Sequence, residues 1–252
     1  MPIDRNSLRA DCEGCIALCC VAPSFTASAD FAIDKPAGVP CPNLRPDDRC
    51  SIHASLCASG FPGCAAYDCF GAGQRVVASL AERVRTPEVF EAFAAMRRRH
   101  ELLWYLAEAA GLAGAEGLRG EVEAAAGALE NGTIAAEDVD SLLDQAADLA
   151  RGGPPTVSRT GPDLIGRDLR HADLGGADLR GAYLIRADLR RADLALADLR
   201  GADLRAADLC GARLGDALFL TRSQLGAAVG DETTTVPSWL ERPAHWLRRH
   251  GR

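Results

Sequence analysis

The sequence predicts a multidomain fold with three parts: a cysteine-rich N-terminal module, an α-helical middle, and a C-terminal coil that stacks like a parallel β-helix. Three observations predict these parts. Nine of the ten cysteines lie between Cys12 and Cys69, apolar residues with helical spacing follow, and leucine recurs every five residues from Leu164 to Leu214. We expect domains at residues 1–73, 74–151 and 160–222, with a C-terminal cap at residues 223–252.

Composition and charge exclude several classes of protein. The 252 residues include 28 Lys and Arg against 35 Asp and Glu, a net charge of −7, and only 5% are aromatic. A mildly acidic chain with few aromatic residues lacks both the basic surface and the stacking aromatic side chains that direct nucleic-acid binding requires. Residues 1–11 are polar and lack the apolar stretch of a secretion signal. No uncharged apolar run reaches the ~18 residues of a membrane span. We therefore expect a cytoplasmic protein without a membrane segment.

The cysteine-rich module needs crosslinks to fold. Its nine cysteines fall within 58 residues that are also rich in Pro and Gly, and such a segment buries too little apolar surface to fold unaided. In the reducing cytoplasm, clustered thiols are metal ligands more often than disulfides. The C-x2-C step from Cys12 to Cys15 is the spacing with which zinc and iron–sulfur sites recruit half of their ligands. The sequence therefore predicts a module stapled by metal.

Eight thiols are the candidate ligands of zinc or of an iron–sulfur cluster. They are Cys12, Cys15, Cys19, Cys20, Cys41, Cys50, Cys64 and Cys69. In an extended chain, adjacent Cys19 and Cys20 point in divergent directions, so they suit two ions or two corners of a cluster better than one tetrahedron. Eight thiols suffice for two four-coordinate sites.

Three further side chains are weaker candidates. Cys57 lies in a segment that resembles a short helix, Ala54–Ser59, where a small core residue is the better interpretation. Cys210 lies far away in the repeat and is interpreted as an isolated surface thiol. His53 follows Cys50 in a C-x2-H step, so it either replaces one thiolate or, more often in such sites, forms a hydrogen bond beside the metal.

The module resembles the zinc- or iron-chelating family named after its CxxCxxCC motif. The motif stands here as Cys12-Glu-Gly-Cys15-Ile-Ala-Leu-Cys19-Cys20, with one extra residue before the doublet. Downstream, Cys41-Pro-Asn-Leu, Cys50-Ser-Ile-His53 and Phe61-Pro62-Gly63-Cys64 extend the resemblance, which covers Asp11 to Cys69. The resemblance implies metal binding. Some members of that superfamily are thought to use an iron–sulfur cluster catalytically, so whether the protein is an enzyme stays open.

The middle of the chain has the pattern of helices. Thr86-Pro87-Glu88 combines an N-cap hydroxyl, a proline at the first helical position and an acid in the first turn. Gly111 is a plausible end for that helix. Two further helices fit Glu116–Glu130 and Ala135–Arg151.

The five-residue period dictates the shape of the C-terminal part. Five residues on an α-helix advance about 500°, which spreads the leucines around every face. On a flat strand an odd period sends successive leucines to opposite faces. A chain that turns a corner every five residues, with four sides to each coil, buries every Leu and the Ala two positions earlier. Stacked coils would then pair their backbones like parallel strands.

Residues Gly161–Leu220 resemble the pentapeptide repeat family, whose pattern is A(D/N)LXX. The resemblance covers twelve units and implies a right-handed quadrilateral β-helix of about three coils. Leu220-Thr221-Arg222-Ser223-Gln224-Leu225 and Arg242-Pro243-Ala244-His245-Trp246 are similar to the C-terminal caps of such proteins.

The function predicted from the sequence is metal binding coupled to docking of a protein partner by the repeat. An iron–sulfur enzyme or redox protein with a vacant metal position is one alternative. A second alternative is a DNA mimic that protects topoisomerases, as some pentapeptide repeat proteins do. The repeat disfavours mimicry, because its ten Asp and nine Arg leave a net charge of −1. Its length of about 14 Å is also short against the ~34 Å of one DNA turn.

Overall fold

The computed structural model describes residues 4–157 and 161–248. Contacts divide the described chain into two units. The first comprises the residues up to Gly111 and Gly117–Leu143, and the second comprises Leu112–Glu116 and the residues from Asp144 onward. The helices are α1 (Leu18–Val21), α2 (Pro62–Ala65), α3 (Ala72–Ala78), α4 (Pro87–Ala109), α5 (Arg119–Glu130), α6 (Ala136–Arg151) and α7 (Arg222–Ala227). Short 3-10 turns lie at His53–Ser55, Glu116–Leu118 and Ala244–Arg248.

The core of the first unit joins the cysteine-rich segment to α3 and α4. The predicted start of α4 is confirmed, because Thr86 is the N-cap and Pro87 is the first helical residue. The helix ends at Ala109, close to the predicted end. Its buried side chains pack with those of α3 and of the segment around α1. This apolar cluster contains Cys15, Ile16, Leu18, Ala72, Val76, Val77, Val89 and Phe93.

The two shorter predicted helices are present with slightly different bounds. A 3-10 turn occupies Glu116–Leu118, so the α-helical part of the first begins only at Arg119. The second begins at Ala136 rather than one residue earlier. Each buries one apolar stripe, represented by Val122 in α5 and Leu143 in α6.

The repeat coil, which we define as residues 161–220, points its alanines and leucines inward as predicted. Ala187 and Leu189 are fully buried, as are most of their equivalents in the later repeats. Leu164, Leu169 and Leu174, in the first repeats, are only half-buried. The inward stripe therefore forms one continuous apolar core along the coil.

Each corner of the repeat coil places one residue in the left-handed region of backbone conformation. Eleven such residues follow one another at five-residue intervals from Gly161 to Gly211. Glycine occupies six of them: Gly161, Gly166, Gly176, Gly181, Gly201 and Gly211. The other five are His171, Arg186, Arg191, Leu196 and Ala206. Glycine is frequent at this slot because it adopts a positive φ without steric cost.

The predicted β-helix is wrong, because the described residues contain no β-strand and no sheet. The bridges between successive coils are isolated and parallel, such as those of Asp163 with Tyr183 and of Tyr183 with Asp203. Further backbone hydrogen bonds join the coils at the corners, as Gly181 N donates to Arg200 O at 2.8 Å. The reason lies in the corners. Every fifth residue has a positive φ, and the next N–H closes a turn, as Ala182 N donates to Leu179 O at 3.0 Å. One residue per side is left to form a bridge, so consecutive residues never form a ladder.

Side chains that follow the repeat satisfy the carbonyls of its last coil. Thr221 and Gln224 form a capping box at the start of α7. The Gln224 side-chain amide also donates to Leu199 O at 2.7 Å and to Ala202 O at 2.9 Å. Beyond α7, the buried Trp246 donates from Nε1 to Ala228 O at 3.1 Å.

Candidate functional site

All eight predicted ligand cysteines line a single cavity in the first unit. The cavity has a volume of about 530 Å³, and aromatic side chains including Phe31, Phe61 and Tyr67 complete its wall. The thiols that line it are those of Cys12, Cys15, Cys19, Cys20, Cys41, Cys50, Cys64 and Cys69. All ten cysteines of the chain are free, so disulfides do not hold this segment together.

Helices α1 and α3 position one part of the thiols. Cys19 of α1 and Cys69, just before α3, pack against the apolar cluster that contains Cys15. Gly73 lies so close to Cys15 that a Cβ there would stand 2.5 Å from its Sγ atom. Only glycine at this position of α3 leaves room for the Cys15 thiol.

Turns position the other part. The N–H of Cys41 donates to Cys20 O at 3.1 Å, which holds the Cys41 segment against α1. A short hairpin then returns the chain, with an antiparallel bridge between Leu44 and Cys50. Cys64 follows on the one-turn helix α2.

Cys19 and Cys20 do not lie in an extended chain, and that expectation is wrong. Both belong to α1, whose N-cap residue Ala17 has a positive φ of 56°. Their Sγ atoms are 3.9 Å apart. The pair therefore brings two thiols to one place in the cavity wall.

The thiols influence one another's protonation. Burial, and then the neighbouring thiols of Cys20, Cys41 and Cys50, raise the pKa of Cys64 to about 12. A hydrogen bond from Cys19, and then the positive charges of Lys35 and Arg85, lower the pKa of Cys20 to about 7. The lowered pKa gives Cys20 more thiolate character than an ordinary cysteine has.

Cationic side chains surround the thiols. Lys35 is 3% exposed, and its ammonium donates to the carbonyls of Val21, Pro36 and Val39 at 3.1, 3.0 and 2.8 Å. Arg83 donates to Cys15 O at 2.7 Å, and Arg85 donates to Ile16 O at 2.9 Å. Of these charges, Lys35 and Arg85 lower the pKa of the Cys20 thiol and so favour its deprotonated form.

The thiols of the cavity are the type of ligand that a soft metal prefers, but their sulfur atoms lie too far apart to coordinate one ion. Among the described residues, no three His, Cys, Asp or Glu side chains converge closely enough to hold an ion as they stand. Thiolates are nevertheless the ligands that zinc and iron–sulfur clusters prefer. Coordination therefore requires the thiols that line the cavity to draw inward.

The weaker candidates have different outcomes. Cys57 is exposed and does not line the cavity, so its interpretation as a core residue is wrong. His53 is exposed and lines the cavity, beside the predicted ligands. Cys210 is half-buried in the second unit rather than fully at the surface.

The sequence analysis missed the cations of this site. Lys35, Arg83 and Arg85 lie outside the cysteine motif, and a single basic residue in a polar stretch carries no sequence signal of burial. The only available signal was positional, since Lys35-Pro36 stands between the two halves of the cysteine pattern.

In the repeat coil, arginines neutralise the aspartates two positions earlier. Arg170 reaches Asp168 at 2.6 Å and Arg180 reaches Asp178 at 2.7 Å. The same pairing occurs at Arg190, Arg200 and Arg205. Ile165 and Tyr183 are each 52% exposed and contribute apolar surface between these pairs. The outer surface is therefore a mixture of neutral ion pairs and apolar groups.

Comparisons with known proteins identify the repeat and one relative. The family described as "Pentapeptide repeats" matches in eight copies, over residues 163–201 and 197–219. The chain is 46% identical over 265 residues to "Uncharacterized protein YybG" of Bacillus subtilis (strain 168), covering 95% of each sequence. The family match lies within the repeat, so the resemblance of Asp11–Cys69 to the CxxCxxCC family stays a prediction. In the described part of the chain, no helix has the length and apolar character to cross a membrane. Residues 163–219 are thus pentapeptide repeats, and the chain belongs to the same protein family as YybG.

Proposed function

We propose that the protein binds metal in the cytoplasm through its N-terminal thiols and docks a protein partner through its repeat coil. The metal is zinc or the iron of an iron–sulfur cluster, because both are thiolate-binding. The ligands are the eight cysteines of the cavity. With four thiolates on each zinc, no coordination position stays open, and the metal then stabilises the fold.

One observation carries the metal proposal: eight cysteines spread over 58 residues line one cavity. Scattered buried thiols would not gather around a common space. Lys35, whose buried ammonium is hydrogen-bonded to three backbone carbonyls, and Arg85 supply positive charge beside the Cys20 thiol. This charge would compensate the net negative charge of thiolates bound to their metal.

The docking proposal rests on the surface of the repeat coil. Ion pairs between neighbouring Asp and Arg leave little net charge, and the exposed Ile165 and Tyr183 add apolar area. Such a mixture of polar and apolar groups is complementary to the surface of another protein. A protein that imitates DNA would instead present a strongly acidic surface to its DNA-binding partners. Pull-down with the full chain should lose its partner when Ile165 and Tyr183 are both replaced by Asp. Equal capture by the double variant would contradict the docking proposal.

The metal proposal is tested by purifying the full chain without air and measuring its metal content and visible spectrum. We expect stoichiometric metal. Colourless protein with about two zinc ions identifies closed thiolate sites. Brown protein with equal iron and sulfide identifies a cluster. Folded protein that contains no metal would contradict the proposal.

The size of the cavity favours one second candidate, an iron–sulfur enzyme with a vacant metal position. A volume of about 530 Å³ lies within the range of small-molecule sites, which is ~300–1,000 Å³. A cluster with fewer than four cysteines on one iron would leave a position for a substrate. A small-molecule ligand that shifts the spectrum of the purified cluster would support this candidate. A spectrum unchanged by ligands would contradict it.

A further inference from the structure

We infer that one side of the repeat coil binds an acidic helix of the partner protein. The coil returns to the same position every 20 residues and turns four corners on the way, so it has four sides. The second side runs from corner to corner through residues 166–171, 186–191 and 206–211. The fourth side, opposite to it, contains residues 176–181 and 196–201. This inference rests on the proposed docking function and adds to it which side is used and the chemistry of the partner.

The fourth side shows how this coil already holds an acidic helix. The C-terminal part of α6, from Asp144 onward, belongs to the same unit as the repeat coil. Asp144 accepts a hydrogen bond from Arg180 at 2.6 Å and another from Arg200, one coil further along. Each arginine also keeps its own partner two positions earlier, Asp178 or Asp198. One carboxylate of a helix therefore bridges two arginines that are stacked on successive coils.

The helix covers the fourth side. Asp178, Asp198 and Arg200 are all buried. The last residue of α6, Arg151, lies against the corner at Gly176, where an added Cβ would stand 3.4 Å from the Arg151 Cδ atom. The stacked arginines are therefore part of a contact between a helix and the coil.

The second side carries the same arrangement of arginines without a helix on it. Arg170 and Arg190 occupy the slots after leucine that Arg180 and Arg200 occupy on the fourth side, and they are also one coil apart. Both pair with the aspartates two positions earlier, and their side chains are 51% and 47% exposed. Among the described residues, their acidic partners all belong to the repeat coil itself. A carboxylate of another protein would therefore bridge this pair as Asp144 bridges the other one.

The second side also has an excess of positive charge. It contains five arginines and three aspartates, a net charge of +2, whereas the whole repeat coil carries −1. The excess comes from Arg167, Arg186 and Arg191, which are exposed and form no ion pair with any described residue. Arg186 and Arg191 are the corners at the two ends of this side, and Arg167 lies on the preceding coil. An acidic partner is the electrostatic complement of such a surface.

The neighbouring first side favours a protein helix as the source of the acids. Ile165 directly precedes the corner at Gly166, so the exposed Ile165 and Tyr183 place apolar surface at the border of the cationic side. An amphipathic helix presents acidic and apolar stripes next to each other, with residues three and four apart on one face. The phosphates of a nucleic acid would match the arginines but not the aliphatic side chain.

The test measures the affinity of the full chain for a fluorescent helical peptide by anisotropy at low ionic strength. The probe carries a stripe of leucines beside a stripe of glutamates, and the comparison peptide has glutamine in place of every glutamate. We expect the glutamate peptide to bind at least about tenfold more tightly. Its affinity should fall about threefold in Arg190→Gln and about tenfold in Arg170→Gln/Arg190→Gln.

Arg213→Gln is the matched control for the single variant and should leave the affinity unchanged. Arg213 is also an exposed arginine paired with an aspartate, but it lies on the third side of the coil. A second binding variant, which breaks no ion pair of the fold, replaces the three unpaired arginines by Gln: Arg167, Arg186 and Arg191. It should also lower the affinity for the glutamate peptide about tenfold.

Equal binding of the two peptides, or unchanged affinity in both arginine variants, would overturn the acidic-helix inference. The docking proposal would survive that result, because it depends on the loss of the partner when Ile165 and Tyr183 are replaced. Tighter binding of a single-stranded oligonucleotide with the charge of the peptide would overturn the inference in favour of a nucleic acid. Self-association of the wild-type chain that the arginine variants abolish, measured by sedimentation, would overturn it in favour of a second copy.

Discussion

At the scale of single residues, Lys35 is the most unusual group of the cysteine-rich unit. Lysine is rarely buried unless its charge is compensated. Here all three N–H bonds of the ammonium have a backbone acceptor, and the group lies 4.9 Å from the centre of the Phe25 ring. Burial lowers the pKa of Lys35, and the thiols of Cys41 and Cys20 partly oppose this lowering. Lys35 therefore holds the backbone at Val21, Pro36 and Val39 by hydrogen bonds and also interacts electrostatically with the thiols of Cys20 and Cys41.

Lys35→Met should weaken both folding and metal retention. The substitution leaves three buried carbonyls without their donor and removes a positive charge beside the thiolates. A buried polar group that loses its partner costs about 1–3 kcal/mol, and we expect at least tenfold faster loss of metal to a chelator. Urea denaturation and chelator kinetics measure the two effects. Lys35→Arg, which keeps the charge, should retain metal better, and equal loss from both variants would contradict the electrostatic role.

Asp168 provides the clearest pH-dependent residue of the repeat coil. A hydrogen bond from the Arg170 side chain, followed by one from its backbone, lowers the pKa of Asp168 from its ordinary 3.8 to about 2. Because the folded-state pKa is below the ordinary value, the contribution of this pair to stability is complete above pH 3.8 and is lost as the pH falls toward 2.

Arg170→Gln should return the pKa of the Asp168 carboxyl toward 3.8. The variant removes the charged partner and keeps a side chain of similar length. Carboxyl chemical shifts followed by NMR between pH 1 and pH 6 measure this change directly. As the control, the pKa of Asp231 should not move, because hydrogen bonds led by that from the Thr233 side chain, and not Arg170, hold it below its ordinary value against the opposing effect of burial. An unchanged pKa at Asp168 would contradict the role assigned to Arg170.

At the scale of elements, the repeat coil is built from corners rather than strands. A residue with a Cβ atom in the left-handed region costs about 1–2 kcal/mol, and five of the eleven corner positions carry that cost. The remaining six are glycine. Each side is too short to pair more than one residue, so the coil depends on buried Leu and Ala and on its turns.

Arg186→Gly should therefore stabilise the repeat coil. Arg186 is exposed and has a φ of 56°, so glycine removes strain while losing only surface side-chain atoms. After the entropic cost of glycine, the gain is up to about 1 kcal/mol. The midpoint of urea denaturation measures it. Arg167→Gly is the matched control, because Arg167 is exposed and has no positive φ, and it should destabilise by about 0.5–1 kcal/mol. Destabilisation by both changes would contradict the account of the corners.

At the scale of the whole molecule, charge is distributed so that the repeat is nearly neutral. The chain carries a net charge of −7, but residues 161–220 contribute only −1 of it. Several aspartates of the repeat, such as Asp168, Asp188 and Asp203, form ion pairs with arginines. DNA mimicry requires an unpaired acidic surface over at least one turn of the duplex, which is about 34 Å.

The full chain should consequently leave DNA gyrase active. We expect less than a twofold change in the rate of supercoiling at micromolar concentrations of the protein, measured by gel electrophoresis of plasmid DNA. Replacing Arg170, Arg190 and Arg205 together by Gln exposes their aspartates and is the informative comparison. Strong inhibition by the wild-type chain would contradict the conclusion from charge.

The sequence by itself determined the features that depend on local pattern. The start of α4 was predictable because a cap and a proline act on neighbouring residues. The inward direction of Leu and Ala was predictable because neither an α-helix nor a flat strand places residues five apart on one face. The clustering of the eight cysteines within one segment also predicted that they lie near one another, and all eight line one cavity. Each of these inferences uses interactions between residues that are close in the chain.

The tertiary structure alone decided how distant residues meet. The five-residue period predicted a corner every five residues. The absence of strands in the described repeat follows from the positive φ at each corner and the N–H that closes it, which only the structure shows. The burial of Lys35 and the placement of all eight cysteines around one cavity likewise depend on packing between segments far apart in sequence. A local pattern specifies which side chains must be buried, but only the folded chain decides which partners they find there.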